Sequence, residues 1–299
     1  MSKCFLVSVC AVLLSACESQ KVPTTYYEAD TPGYVESIVV DESRQVGYMG
    51  TQGDKLDVSG RKGKGLIVMT GCENGAPVRR NVTKPGVLHS PRALTLHGGL
   101  LYAADRGRIV SVDTKSGKVS TVADLSKAGV ESMHDATWAG ERMFVSSQTK
   151  NRIYEVNPAT GKFAEVQSSE PFRGPKGLTW DDGAKRLLVC EYGSGEKVAD
   201  GRILSLDPAT GKVEQVCGHR GKFSGLALNK GFLYFSDWNR KSRQPGAVCK
   251  MDLKSGKVEA VTRKQMNGAA DFCVTKDGVV VVPALFDKKL WIIYPKQEY

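Results

Sequence analysis

Along most of the chain, apolar and polar residues alternate in short runs, and the runs come in sets. Arg92-Ala-Leu-Thr-Leu96, Leu101-Tyr-Ala-Ala104 and Ile109-Val-Ser-Val112 follow one another with only a few turn-forming residues between them. Alternation with a period of two puts successive side chains on opposite faces, so each run predicts a half-buried β-strand. No stretch keeps a 3.6-residue period over three turns, and almost no helix is predicted.

One short turn recurs almost verbatim: Asp113-Thr-Lys-Ser-Gly-Lys118, Asn157-Pro-Ala-Thr-Gly-Lys162, Asp207-Pro-Ala-Thr-Gly-Lys212 and Asp252-Leu-Lys-Ser-Gly-Lys257. An Asp or Asn opens such a turn by accepting hydrogen bonds from nearby backbone, and Gly supplies the positive φ that reverses the chain. With an alternating run on each side, every copy predicts a β-hairpin.

The whole unit repeats, starting with a first strand. First strands begin at Glu36, Arg92, His134, Lys176, Ser224 and Ala270, and hairpin glycines fall at 75, 117, 161, 211 and 256, with gaps of 42, 44, 50 and 45. Four strands at this period mark a β-propeller blade. The predicted fold is therefore all-β: a six-bladed β-propeller of four-stranded antiparallel blades, at about 32–85, 86–128, 129–170, 171–219, 220–264 and 265–299. The last unit ends before its fourth strand, so a strand from the N-terminal tether (18–31), near Val22–Glu28, is expected to close the ring and cover its edges.

Before the tether stands a leader. Lys3 is followed by an apolar run to Leu14, too short to span a bilayer permanently, and then by Leu14-Ser-Ala-Cys17. This end resembles a bacterial lipobox. The resemblance implies that residues 1–17 form a signal peptide with Cys17 lipidated, anchoring the chain to the membrane by its acyl chains. Glu18 after the Cys implies the outer membrane, facing the periplasm of the bacterial envelope.

Composition removes other classes. The formal net charge of +10 favours anionic partners, but there is no Arg/Lys-rich helix and no aromatic ladder, and no nucleic-acid partner is expected. Four His, none spaced with a Cys as zinc ligands, argue against zinc. Five Cys beyond the leader, none in a Cys-x-x-Cys pair, are expected to be small buried side chains. Gly193-Ser-Gly-Glu-Lys197 lacks the ending of a phosphate loop, and no Gly-x-Ser-x-Gly elbow exists.

In a propeller, first-strand starts and second-strand ends meet at one rim of the central channel. That rim collects Glu36, Arg92, His134, Lys176 and Ser224, with Asp135 and Asp271 one position on. The second-strand ends bring Arg106, Glu191 and Asp237. The Lys- and Arg-rich loop Gly50–Gly65 and the residues Arg240, Lys241 and Arg243 make the rim basic.

Over residues 32–299 the pattern resembles the six-bladed gluconolactonase, senescence marker protein and luciferin-regenerating enzyme-like propellers. Gly174-Pro-Lys-Gly-Leu-Thr-Trp180, Leu187-Leu-Val-Cys190 and Asp200-Gly-Arg-Ile203 carry the likeness. The resemblance implies a divalent cation, Ca²⁺ or a similar ion, at the rim, with Glu36 in the place of the family's Glu and Asp135 and Asp271 as the other acids. Lys176 stands where that family has a metal-binding Asn, and Asp271 is one residue off the expected acid. Three readings follow. In the first, Arg92 and Lys176, with Arg106, Ser224, Asp237 and Glu191 around them, bind an anionic small molecule, glycan or envelope protein. The second is a metal-dependent lactonase with Glu36, Asp135 and Asp271 on the cation and Asp271, Asp135 or His134 moving the proton. The third is a scaffold that docks other envelope proteins. A satisfied network of buried charges is the structural counterpart to all three.

Overall fold

The structure, a computed structural model, describes residues 26–56, 63–73, 75–195, 198–238, 246–261 and 265–295. The leader with Cys17, tether residues 18–25, loop residues 57–62, the end of the 193–197 loop, and Arg240, Lys241 and Arg243 lie outside the described residues. Those described form six four-stranded antiparallel sheets, the blades of a six-bladed β-propeller. Helix is confined, among them, to one 3-10 turn at Ser126–Ala128.

The innermost strands are Val35–Asp41, Pro91–His97, Ala136–Ala139, Pro175–Asp181, Phe223–Asn229 and Cys273–Val274. Five blades take their strands in chain order from axis to rim. The sixth takes its outer strand from the other end of the chain: Tyr26–Asp30 pairs antiparallel with Lys289–Ile293, Glu28 opposite Trp291. This closing strand lies a few residues later than the sequence suggests. The register puts Ala29 in the buried position opposite Leu290 and stacks Tyr26 on Trp291 with ring centres 5.0 Å apart.

The repeated turn forms as its chemistry requires. Asp113 Oδ1 accepts the backbone N–H groups of Lys115 and Ser116 at 2.8 and 3.1 Å, and Gly117 N–H closes on Asp113 O at 2.8 Å with φ +72°. Asn157, Asp207 and Asp252 open their turns in the same way. These backbone hydrogen bonds hold the Asp113 and Asp252 carboxyls below the ordinary range, and for Asp207 the Thr210 hydroxyl, donating at 2.8 Å, leads and the backbone adds to it.

The core is distributed between neighbouring blades. Val46, Tyr48, Ile67 and Met69 of the first pack on Leu94, Leu101, Ala103, Val110 and Val112 of the second. Each large side chain removed from water in this way contributes about 1.5–3 kcal/mol. Burial holds for Cys72 and Cys190, whereas Cys217, Cys249 and Cys273 are only part-buried; none is in a disulfide.

Candidate functional site: an axial cavity over a belt of blade-to-blade hydrogen bonds

The inner strands do not pair regularly at their starts. Register shifts fall at Val35/Ser37, Arg92/Thr95, Pro175/Leu178 and Phe223/Leu226. A bulge frees backbone groups from the ladder, and near the axis they must find partners elsewhere. The partners come largely from adjacent blades. Leu94 N–H donates to Ser37 Oγ at 3.0 Å, and Leu178 N–H donates to Asp135 Oδ2 at 2.7 Å. Ser146 Oγ donates to Lys176 O, and Ser236 Oγ to Ala270 O at 3.0 Å. Where the last blade meets the first, Ser37 Oγ donates to Asp271 Oδ2 at 2.7 Å and Asp271 N–H to Glu36 O at 3.1 Å. Between the fourth and fifth blades the backbones come close. A Cβ on Gly177 would lie 2.7 Å from Leu226 N and 2.8 Å from Cys190 Sγ, so only glycine fits there.

Asp135 and Asp271 are thus stitches of this belt. Asp135 also accepts its neighbour Ala136 N–H at 2.7 Å, and Asp271 accepts Phe272 N–H at 2.9 Å. Both carboxyls are raised. For Asp135 the first cause is burial and the second the charge of Asp271; for Asp271 burial leads, resisted by hydrogen bonds from Ser37 and Phe272, and carries it to about 7.

Next to the belt lies a cavity of about 480 Å³. Four of the first-strand starts line it: Glu36, Arg92, His134 and Lys176. Arg92 Nε is 2.8 Å from Glu36 Oε2, an ion pair set off the line of a hydrogen bond, and Gln52 Nε2 donates to the same oxygen. Arg92 Nη1 reaches Ser132 Oγ at 3.4 Å. Among the described residues, no carboxylate lies within ion-pairing distance of the Lys176 ammonium. It sits between two aromatic faces, 4.9 Å from the Tyr192 ring centre and 5.0 Å from that of Trp238. Burial lowers its pKa, with the charges of Glu36 and Asp271 opposing and that of Arg92 adding to the effect. His134 is part-buried with its open side in the cavity. Burial first, then the charges of Lys176 and Arg92, keep its imidazole well below the ordinary histidine range, and it is neutral near pH 7.

The other sites expected from sequence do not line this cavity. Glu191 and Asp237 end second strands, and their side chains point back to hold the loop that enters the inner strand. Glu191 accepts Arg173 N–H at 2.7 Å and pairs with Arg202 at 2.7 Å; Asp237 accepts Lys222 N–H at 3.1 Å. Asp105 does the same for His89 and Ser90, and Arg106 follows it into a tight turn at φ +61°. Ser224 is buried beside the axis, outside the lining. What faces the cavity is the residue after each second strand: Gln52, Gln148, Tyr192, Trp238 and Leu285, with Arg106 the exception. Aligning second-strand ends one position further on finds this set.

The implied cation does not fit these residues. Among those described, no three His, Cys, Asp or Glu side chains are grouped as metal ligands, so the expected trio of Glu36, Asp135 and Asp271 is not assembled. Glu36 is engaged by Arg92 and Gln52, the two aspartates by backbone and Ser37, and the Lys176 ammonium on the same cavity wall as Glu36 would repel a cation.

No protein-family model matches the chain, and no curated protein matches it in sequence. Solved structures do resemble it. A Bacteroides thetaiotaomicron protein of unknown function superposes with a TM-score of 0.68 at 11% identity, covering 97% of this chain and 74% of that one. A gluconolactonase from Xanthomonas campestris gives 0.65 at 12% identity, over 91% and 89% of the two chains. A streptogramin B lyase gives 0.58 at 13%, over 91% and 98%. At such identities the shared property is the fold.

Proposed function

We propose that this propeller binds a small anionic molecule, a sugar acid or similar carboxylate, in its axial cavity. The observation that carries the proposal is Lys176: a desolvated ammonium on the cavity wall with no ion-pair partner among the described residues. Counting Glu36, Arg92 and Lys176, the wall carries one net positive charge when the lysine is protonated. Leaving a buried charge uncompensated is costly, and a bound anion removes that cost. Gln52 Oε1 is buried with no donor among the described residues, and a ligand hydroxyl would satisfy it. Tyr192 and Trp238 offer flat apolar faces of the kind that pack against a sugar ring. The gluconolactonase among the fold's neighbours makes gluconate the natural first probe.

With the metal donors already committed, we derive no lactonase step. Lipid on Cys17 would hold the molecule at the envelope, which remains the proposal for its location.

Calorimetric titration tests the reading. Gluconate should bind and its neutral counterpart sorbitol should not. Lys176→Met should weaken gluconate binding at least about tenfold, because a hydrogen bond to a charged group contributes roughly 1.5–3 kcal/mol. If neither gluconate nor a panel of small carboxylates and phosphates binds, or if Lys176→Met binds equally well, the proposal fails.

A further inference from the structure

Two lysines approach Tyr192, and they differ in a way the anion-binding reading leaves unused. Lys222 Nζ lies 4.3 Å from the Tyr192 ring centre and donates to Gly195 O. Lys176 Nζ faces the two aromatic rings and, among the described residues, has neither an oxygen acceptor nor a carboxylate in contact. It lines the cavity with His134 and Arg92. Arg92 is tied to Glu36 through Nε and to Ser132 through Nη1, which leaves Nη2 without a partner among the described residues and able to take a carboxylate oxygen.

We infer that Lys176 is a nucleophile that captures the carbonyl carbon of a small oxo acid as an imine, the acid's carboxylate resting on Arg92. This deepens the anion-binding reading and rests on it. The step balances without an oxidant or reductant. The neutral amine adds to the carbonyl carbon, forming the C–N bond while the C=O pair moves to oxygen, which takes one of the two nitrogen protons. The nitrogen then gives up the other, the C–O bond breaks, and water leaves as the C=N bond forms. The neutral imidazole of His134 is the cavity group available to take the proton from nitrogen and return it to the departing hydroxyl.

Desolvation supports this chemistry. An exposed lysine is almost wholly protonated near neutral pH, and only the free amine attacks. Burial and the Arg92 charge shift Lys176 toward the free amine. The apolar faces of Tyr192 and Trp238 also shield an imine from hydrolysis by bulk water.

The test incubates the full chain with glyoxylate and cyanoborohydride, followed by intact mass and peptide mapping. In parallel, binding is measured for glycolate, the alcohol that has the same carboxylate but no carbonyl. One reduced carboxymethyl group should appear on Lys176 at least tenfold faster than on exposed lysines such as Lys185 and Lys254, and Lys176→Met should lose this fast phase. Labelling of Lys176 no faster than the exposed lysines, with glycolate still bound, overturns the imine and leaves the anion site standing. Loss of both fast labelling and glycolate binding overturns the two together.

Discussion

Asp271→Asn should make the propeller more stable at pH 8 and change how its stability follows pH. Asp271 is buried in the belt, where Ser37 Oγ and Phe272 N–H hydrogen-bond to it. Its carboxyl is raised from 3.8 to about 7, chiefly by burial. A group whose folded pKa lies above its unfolded value adds stability in full below the unfolded pKa, and that stability is lost as pH rises through the folded one. Here the window is pH 4 to 7. A rise of roughly three pH units at about 1.4 kcal/mol per unit corresponds to about 4 kcal/mol across it. Asparagine keeps an acceptor for Phe272 and has no charge to desolvate, so the variant should not show this loss. It should also relieve Asp135, whose carboxyl is raised in part by the Asp271 charge. His134 acts in the opposite sense. Its lowered pKa gives stability that is present above 6.5 and lost as pH falls, so the wild-type curve alone is ambiguous. The difference between wild type and variant cancels that contribution. Urea unfolding followed by tryptophan fluorescence at half-unit steps from pH 4.5 to 8 gives this difference directly. It should grow with pH in favour of the variant by several kcal/mol. A flat difference would show that Asp271 is already ionised in the folded belt, held charged by Lys176, and would refute the reasoning.

Glu36→Gln should separate binding from stability. It removes the partner of a buried guanidinium and should cost about 3 kcal/mol in urea unfolding. It also adds a positive charge to the cavity, so gluconate should bind more tightly by titration; weaker binding would mean that Glu36 itself holds the ligand. Gly177→Ala tests the closeness of the fourth and fifth blades. Its methyl meets backbone at 2.7 Å, which cannot swing aside, and more than about 2 kcal/mol should be lost. An unchanged melting temperature would contradict that contact.

The sequence alone determined the architecture, because the features that specify it are local and repeat. A run of alternating residues shows a strand whatever it packs against, and Asp113 with Gly117 makes a turn from its own backbone. Repetition at 42 to 50 residues turned those local signals into a count of blades, and the absent last strand pointed to ring closure by the N-terminal end. Glu36, Arg92, His134 and Lys176 were also legible as a set, since equivalent positions of equivalent blades must meet at the axis.

Tertiary structure decided which neighbours share their cavity and what each charge does there. Glu191 and Tyr192 are adjacent in sequence, yet one holds Arg202 and the other faces Lys176. That choice turns on where the second strand ends, and a one-residue difference reverses the side chain. Asp135 and Asp271, the carboxylates that looked most like chemistry, became belt stitches because bulges left backbone N–H groups to satisfy. Lys176 became the unpaired charge of the cavity because, among the described residues, Glu36 and Asp271 were already occupied, a balance fixed by distances between blades and written in no single stretch of chain.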